Sequence, residues 1–320
     1  MLRSSLIYLS KANWARQIIT EWGFAQRAAS RFVAGENLEQ AIQVVQTLNQ
    51  RGIYGTLDHL GEHTNSAEAS QNATQAILEM VDGIERSGVR SNISIKLSQI
   101  GLSINQELCS ENLRQILSHA RERNIFVRID MEDSPWVDTT LGLYRKMRDK
   151  QGLTNSGVVI QASLFRSEQD IRKLVHEGTR VRLCKGAYKE PPEIAFPKKR
   201  DVDLNYDRLA ELLIDGSMKC GAIEGSADGR TPPIPAIASH DPARLFAACA
   251  YAEKAGLPKK ALEFQMLYGI RRELQEQMVS AGYPVRVYVP YGTEWYPYYV
   301  RRLAERPANV WFFISNFFRN

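Results

Sequence analysis

The chain has 320 residues, of which 44% are hydrophobic, and its 41 basic and 36 acidic side chains give a net charge of +5. This composition is typical of a globular protein with a sizeable core, and the small, dispersed basic excess argues against a nucleic-acid partner. No run of 18 apolar residues and no export signal are evident, and the four cysteines form no CxxC pair. We therefore expect a cytoplasmic protein with reduced thiols and no metal site.

Residues 1–52 are predicted to form helices that pack on the domain that follows. Eight candidate strands then alternate with amphipathic stretches. The strands are IYGTLDHL (53–60), ISIKLS (93–98), FVRIDM (126–131), VVIQAS (158–163), VRLCKG (181–186), PAIASH (235–240), EFQML (263–267) and VRVYVP (285–290).

The last stretch, YYVRRLAER at 298–306, has the spacing of an eighth helix. Eight strands alternating with eight helices predict an α/β protein with a closed (β/α)8 TIM-type barrel over residues 53–307. An open doubly wound sheet is the alternative, but such sheets more often carry a glycine-rich first turn, and no G-x-G-x-x-G motif occurs.

Two segments are not explained by this repeat. Residues 217–234 are rich in glycine and proline and look like an insertion, either disordered or shaping the rim of the site. The C-terminal tail NVWFFISNFFRN (309–320) has five aromatic residues. It is predicted either to cap the barrel as a helix or to contact a membrane surface at the inner face of the cytoplasmic membrane.

Polar side chains occur at or just after the carboxyl end of strand after strand, where (β/α)8 barrels carry their active sites. They are Asp58, His59, Lys96, Asp130, Gln161, Arg182, Lys185, His240, Gln265 and Tyr288. Burying many uncompensated charges at one rim is costly, so a shared function is favoured over ten separate structural roles. On the last helix, Tyr298, Arg301, Arg302 and Glu305 share one face. A cleft lined by Lys96, Arg182, Lys185, Arg301 and Arg302, offset by Asp130 and Glu305, suits an anionic ligand.

Four kinds of barrel protein fit these residues to different degrees. A metal-dependent hydrolase is poorly supported, because His59 and His63 lie in a predicted loop and only His240 joins them. A Schiff-base aldolase could use Lys96 or Lys185 as its nucleophile. A binding barrel without catalysis does not explain the mixture of acids, bases and tyrosines.

A cofactor enzyme is favoured by the stretch RLCKGAYKEP (182–191). Gly186 would let the backbone approach a phosphate, and Lys185 would supply charge. The cationic cleft would then hold a phosphate-bearing cofactor together with a carboxylate substrate.

The stretches R-L-x-K-G-A-Y (182–188) and Y-x-V-R-R-L-x-E (298–305) resemble the proline dehydrogenase family, and several shorter motifs occur in the family's order between about residues 50 and 306. The resemblance implies a distorted (β/α)8 barrel of the monofunctional type. It also implies FAD-dependent oxidation of L-proline, the first step of proline catabolism. Hydride would pass from the substrate C5 to flavin N5, giving Δ1-pyrroline-5-carboxylate, and a quinone would reoxidise the flavin.

The resemblance also implies roles for individual residues. Arg301 and Arg302 would clamp the proline carboxylate with help from Lys96, since bidentate pairing requires guanidinium groups. Arg182 would lie near flavin N5 and stabilise the negative charge that arrives there. Asp130 would hydrogen-bond within the polar cluster at the site and act with Arg182 as a catalytic residue. The other implied substrate-site residues are Leu267, Tyr288, Tyr298 and Glu305. The implied FAD contacts are Met131, Gln161, Arg182, Lys185, Gly186, Ala187, Ser239 and His240.

The nearest competing substrate is 4-hydroxyproline. The bulky ring of Tyr288 is expected to crowd a 4-hydroxyl group, so proline is favoured. The Schiff-base aldolase remains a more remote alternative.

Overall fold

The computed structural model describes residues 30–61 and 63–305, with side chains described as far as residue 300. Most of the predicted N-terminal helical segment and the tail at 308–320 lie outside the described residues. The described part of that segment contains helix α1 (Leu38–Gln50), which the side chain of Asn37 caps by accepting a hydrogen bond from the Gln40 amide. The division of the chain at residues 52 and 307 stays a prediction.

Eight parallel strands form a closed barrel. They are β1 (Tyr54–His59), β2 (Ser91–Ile95), β3 (Val127–Ile129), β4 (Ser156–Gln161), β5 (Val181–Cys184), β6 (Pro235–Ala238), β7 (Glu263–Leu267) and β8 (Val285–Tyr291). Each strand pairs with the next along the chain, and β8 pairs with β1 from Tyr54 opposite Arg286 to His59 opposite Tyr291. The predicted (β/α)8 barrel is confirmed, and the open-sheet alternative is wrong because this last pairing closes the sheet.

A helix follows every strand. These helices are α2 (Ala67–Ser87), α3 (Gln106–Glu122), α4 (Val137–Arg145), α5 (Ser167–His176), α6 (Lys199–Lys219), α7 (Pro242–Ala255), α8 (Arg272–Ser280) and α9 (Trp295–Glu305). Short turns of other helix types occur at Ser134–Trp136, Lys146–Lys150 and Lys259–Ala261. Among the described residues, none of the helices combines the length and the hydropathy needed to cross a bilayer.

Local signals set the ends of several helices. The Ser66 side chain caps α2 by accepting from the Ala69 amide, and Gly88 ends this helix with a φ of 65°. Asp241 caps α7, Pro242 opens its first turn, and Gly256 ends it with a φ of 75°. These residues explain why the helices fill the intervals between the strands.

Several strands are shorter than their apolar runs predict. The run at 126–131 forms a strand only over Val127–Ile129, so Asp130 and Met131 lie in the loop that follows. The run predicted at 93–98 forms a strand over Ser91–Ile95, which begins two residues earlier and leaves Lys96 just beyond its end. A backbone hydrogen bond from the Asp130 amide to the Ile95 carbonyl, at 2.9 Å, still joins the two segments at this point, so Asp130 and Lys96 lie at the carboxyl end of the barrel.

Alternating side chains of the strands separate an apolar outer layer from a polar interior. On β2 and β3, Ile93, Ile95, Val127 and Ile129 belong to the buried apolar core. Their neighbours point inward, since the Arg182 guanidinium on β5 donates to the Ser94 hydroxyl on β2, and only the barrel interior joins these two strands. The polar side chains of several strands therefore converge inside the barrel.

The segment 220–234 covers the end of the barrel opposite to the carboxyl ends of the strands. Arg286, near the start of β8, donates to the Gly229 carbonyl at 2.7 Å, and Arg90, just before β2, donates to the Ala227 carbonyl at 3.4 Å. The insertion predicted at 217–234 is therefore neither disordered nor part of the rim of the site, and both alternatives are wrong. Its first residues complete α6, and the remainder is an ordered loop that lies far from the rim expected for the cofactor.

Candidate active site

Five charged or phenolic side chains meet at the carboxyl end of the barrel. They come from β1, β5, β8 and the first residues after β2 and β3, and they are Asp58, Arg182, Tyr288, Lys96 and Asp130. All but Asp58 were predicted site residues, and the structure brings those four together.

Asp130 is the centre of this cluster. Its Oδ1 accepts from the Ser94 hydroxyl at 2.7 Å and from Arg182 at 2.9 Å, while its Oδ2 accepts from the Tyr288 hydroxyl at 2.9 Å. Burial acts to raise the pKa of Asp130, but the charges of Lys96 and Arg182 and the hydrogen bonds outweigh it, so the pKa is lowered. Asp130 is therefore a carboxylate at neutral pH, and it fixes the positions of three neighbouring side chains.

Lys96 lies between two carboxylates. Its ammonium is 3.1 and 3.3 Å from the two oxygens of Asp58 and 3.6 Å from Asp130. Asp58 is 1% exposed, and this burial raises the pKa of its carboxyl to about 6 in spite of the Lys96 charge. Sequence reasoning noted Asp58 as a polar strand end but gave it no role, because its pairing with Lys96 depends on the register between β1 and β2.

Tyr288 is held by the same groups. Besides donating to Asp130, its hydroxyl accepts from Lys96 at 3.3 Å, and its ring centroid lies 5.4 Å from the Arg182 guanidinium. Burial, reinforced by the nearby Asp130 carboxylate, raises the pKa of Tyr288 well above its ordinary range. Tyr288 is therefore a neutral phenol with a fixed ring.

Arg182 is anchored from two sides. In addition to Asp130 and Ser94, its Nε donates to the side-chain oxygen of Gln265 on β7. Gln265 was another polar strand end without an assigned role. Its functional signal in the sequence is weak because glutamine carries no charge.

The residues predicted to contact a cofactor lie in β4 and β5 or in the loops after β3, β5 and β6. Met131 and Gln161 are buried, and the Gln161 amide donates to the Glu132 carbonyl at 2.8 Å. Gly186 has a φ of +104°, and an added Cβ would lie 2.2 Å from the Ser163 hydroxyl oxygen. Only glycine fits this turn, whereas the next residue, Ala187, is exposed.

The loop after β6 is tied to β7 and α7. His240 Nε2 accepts from the backbone amide of Leu267 at 2.8 Å, so this ring nitrogen carries no proton and the imidazole is neutral. The Ser239 hydroxyl accepts from the Asp241 amide at 3.1 Å. Leu267, the last residue of β7, is half-buried beside His240, at the end of the barrel where it was predicted.

Lys185 forms ion pairs with carboxylates of the protein itself. Its ammonium pairs with Asp203 on α6 and with Asp241, the latter at 2.9 Å. A phosphate at this position has to compete with these two carboxylates for the lysine.

The charge of the described site is therefore closer to neutral than the sequence predicted. Asp58 and Asp130 match Lys96 and Arg182, and Lys185 has its own carboxylates. The excess positive charge of the predicted cleft rests on Arg301 and Arg302.

The predicted arginine helix is present as α9, which begins shortly after the carboxyl end of β8. Tyr298 and Tyr299 are 7% and 3% exposed, so both sides of the helix are buried in its first half. The side chains of Arg301, Arg302 and Glu305 lie outside the described part of the structure, and their roles stay predictions.

Comparisons with known proteins agree with this geometry. The family model described as proline dehydrogenase matches residues 41–314. "Proline dehydrogenase 1" of Bacillus subtilis (strain 168) is 38% identical over 316 residues, which cover 98% of both chains. "Proline dehydrogenase" of Deinococcus radiodurans is 39% identical over 290 residues, covering 90% of this chain and 89% of that protein.

Among solved structures, proline utilization A from Bdellovibrio bacteriovorus superposes with a TM-score of 0.78 at 27% identity. The match covers 91% of this chain, which spans 33% of the length of that larger protein. The fold, the matched family and the similar full-length relatives all point the same way. This chain belongs to the proline dehydrogenase family, a family of oxidoreductases that act on CH–NH donors.

Proposed function

We propose that the protein oxidises L-proline to Δ1-pyrroline-5-carboxylate, with FAD accepting hydride at flavin N5 and a quinone reoxidising the flavin. The observation that carries this proposal is the Asp130 cluster, which holds Lys96, Arg182 and Tyr288 at the active end of the barrel in a chain of this family. Proline presents one carboxylate and one small apolar ring, and the cluster offers a fixed cation beside a fixed aromatic ring.

The residues of the chain bind and orient the substrate. The side chain of Lys96 is 13% exposed, so its ammonium can reach a substrate carboxylate that enters from the open end of the barrel. We assign the main grip on that carboxylate to Arg301 and Arg302, because the described cations are already matched by carboxylates. Tyr288, Tyr298 and Leu267 are assigned to the ring, and Glu305 to orienting an arginine.

FAD fits the loops on the other side of the cluster. Gly186 forms a tight turn without a side chain, and Gln161 and His240 present fixed polar groups. When bound, FAD supplies the acceptor for the two electrons removed from the substrate. Arg182, anchored by Asp130, would then place a permanent positive charge where the reduced flavin becomes negative.

The structure offers a reason to prefer proline over 4-hydroxyproline. The Tyr288 hydroxyl is held by Asp130 and Lys96, so its ring cannot turn aside for a larger substrate. We expect Tyr288→Ser to raise the ratio of kcat/KM for 4-hydroxyproline to that for proline. An unchanged ratio would remove this basis for selectivity.

The Schiff-base aldolase is disfavoured by the same geometry. Lys96 and Lys185 each lie between two carboxylates, with which they pair as ammonium groups, whereas Schiff-base formation requires a neutral amine. Borohydride trapping with a carbonyl substrate should therefore leave no adduct on either lysine.

Peripheral contact with an anionic membrane, where the quinone would be met, is part of the proposal. The tail at 308–320 lies outside the described residues, but exposed Phe165 and Ile194 lie near exposed Lys198 and Lys199 at the active end of the barrel. Removing residues 308–320 should abolish sedimentation with anionic vesicles without unfolding the protein. Loss of the folded state instead would show that the tail is a structural cap.

The deciding experiment is an absorption spectrum of the purified protein before and after proline is added. We expect a bound flavin that bleaches with proline and that passes electrons to a quinone. A colourless protein that takes up no FAD and reduces no acceptor with proline would refute the proposal. Arg301→Lys and Arg302→Lys should each raise the KM for proline, because lysine cannot pair in a bidentate manner.

A further inference from the structure

A hydrogen-bond chain runs along the inside of the barrel from Arg182 towards the opposite end. The Gln265 oxygen accepts from Arg182 Nε, and the Gln265 amide nitrogen donates to Glu263 Oε1 at 2.6 Å. Glu263 is paired with Arg286 through both of its oxygens, at 2.9 and 3.0 Å. Gln265 is 5% exposed, and Glu263 and Arg286 are each 1% exposed.

Glu263 determines which way the Gln265 amide points. If the amide were reversed, its NH2 group would face an Arg182 N–H and its oxygen would face a carboxylate, so both contacts would become repulsive. The bidentate contact with Arg286 fixes the position of Glu263. The Gln265 oxygen therefore has to face Arg182.

Only a neutral side chain with both an acceptor and a donor fits between these groups. A carboxylate at position 265 would neutralise Arg182 and lie against Glu263. A side chain without polar atoms would leave Arg182 Nε without an acceptor in the barrel interior.

We propose that Gln265 is a positioning residue, which holds the Arg182 guanidinium at the active end of the barrel without reducing its positive charge. This inference rests on the proposed function, in which Arg182 lies beside the flavin. Arg182 is then held from below by Gln265 and from the side by Asp130 and Ser94, and its guanidinium has little freedom to turn away from the cofactor.

The test uses two variants of the FAD-loaded protein. Gln265→Met removes both polar contacts at every pH. Gln265→Glu keeps the contacts with Arg182 and Glu263 only when the new carboxyl is protonated. The acid then donates to Glu263 and accepts from Arg182, as the wild-type amide does. The charged groups around it are Glu263, Arg286, Arg182, Arg128 and Asp130.

The main measurement is the flavin midpoint potential as a function of pH. We expect Gln265→Met to lower the equilibrium constant for flavin reduction about tenfold, or ~30 mV for a two-electron couple, at all pH values. Gln265→Glu should match the wild type at low pH and fall below it as pH rises. Asn112→Leu is the control, because Asn112 is also 5% exposed but donates to the Ile100 carbonyl, away from Arg182.

A second measurement needs no cofactor. The unfolding midpoint of Gln265→Glu relative to the wild type should fall as pH rises, since the folded protein favours the protonated acid.

A wild-type potential in Gln265→Met, or a pH-independent offset in Gln265→Glu, would overturn the inference. If the wild-type protein binds no FAD and leaves proline unoxidised, the proposed function fails and the role beside the flavin fails with it. If the protein does oxidise proline with FAD but both variants keep the wild-type flavin potential, only the positioning role of Gln265 is refuted.

Discussion

At the residue scale, Asp58 shows how the barrel interior changes an ordinary side chain. It is almost completely buried, and its partner Lys96 also interacts with Asp130. Burial opposes ionisation of Asp58 more strongly than Lys96 favours it, so ionised Asp58 costs stability. This cost is consistent with a functional demand for the lysine at that position.

The pKa of Asp58 leads to a prediction about stability. The pKa is raised from 3.8 to about 6, so this carboxyl binds more protons in the folded protein than in the unfolded chain between these values, and its contribution to stability falls as pH rises through this window. We expect the free energy of unfolding of the wild type to drop by about 3 kcal/mol relative to Asp58→Asn over this range. Urea denaturation of both proteins across the window measures this difference, and parallel curves would contradict it.

Single residues also show what sequence could and could not predict about the site. Lys96, Asp130, Arg182 and Tyr288 were predictable because charged or phenolic groups at strand ends are conspicuous in apolar runs. Gln265 received no role because its importance depends on which side chains face it across the barrel.

At the element scale, the start of α7 combines two functions in one side chain. Asp241 caps the helix by accepting from the Ala243 amide at 3.2 Å, and it also pairs with Lys185. Burial acts to raise the pKa of Asp241, but its contact with Lys185 outweighs this, so the pKa is lowered and the cap is ionised at neutral pH. A negative charge at this position would oppose the binding of a phosphate of the proposed cofactor.

The variant Asp241→Asn separates these two functions. Asparagine caps helices about as well as aspartate, so α7 should keep its stability, while Lys185 loses one competing carboxylate. We expect FAD to bind several-fold more tightly, with the gain shrinking as salt is added. Titration of the FAD-free protein by flavin fluorescence provides the measurement. Weaker binding would mean that Asp241 is needed to hold Lys185 in place.

The elements were predicted better than their ends. The eight apolar runs and the intervening amphipathic stretches are strong local signals, so all eight strands were found. The end of β3 was placed two residues too late, because Asp130 and Met131 continue the pattern of the strand in sequence. The Asp130 amide still donates to the Ile95 carbonyl, but the regular strand ends at Ile129.

At the scale of the whole molecule, the two ends of the barrel have different tasks. The carboxyl ends of the strands carry the candidate site, and the loop 220–234 closes the other end. Arg286 joins the two, because it binds Gly229 in the loop and Glu263 in the chain that leads to Arg182. The sequence could not reveal this closure, since glycine and proline indicate a loop but not what the loop covers.

Gly229 provides a test of how closely the loop fits. It has a φ of +70°, and an added Cβ would lie 2.4 Å from the Tyr54 ring. That ring cannot move aside easily, because the guanidiniums of Arg90 and Arg286 lie 4.5 and 5.3 Å from its centre. Gly221, at the other end of the loop, has a φ of +84° but no atom within 4 Å of an added Cβ.

Comparing Gly229→Ala with Gly221→Ala therefore separates backbone strain from loss of the fit. Gly221→Ala should lower the free energy of unfolding by roughly 1–2 kcal/mol, the cost of a left-handed alanine. Gly229→Ala pays the same backbone cost plus about 1–3 kcal/mol for overlap with Tyr54. Urea denaturation gives both values. Equal losses would show that the loop adjusts without strain, whereas a larger loss in Gly229→Ala, together with a lower kcat, would show that closing this end also supports the distant site through Arg286.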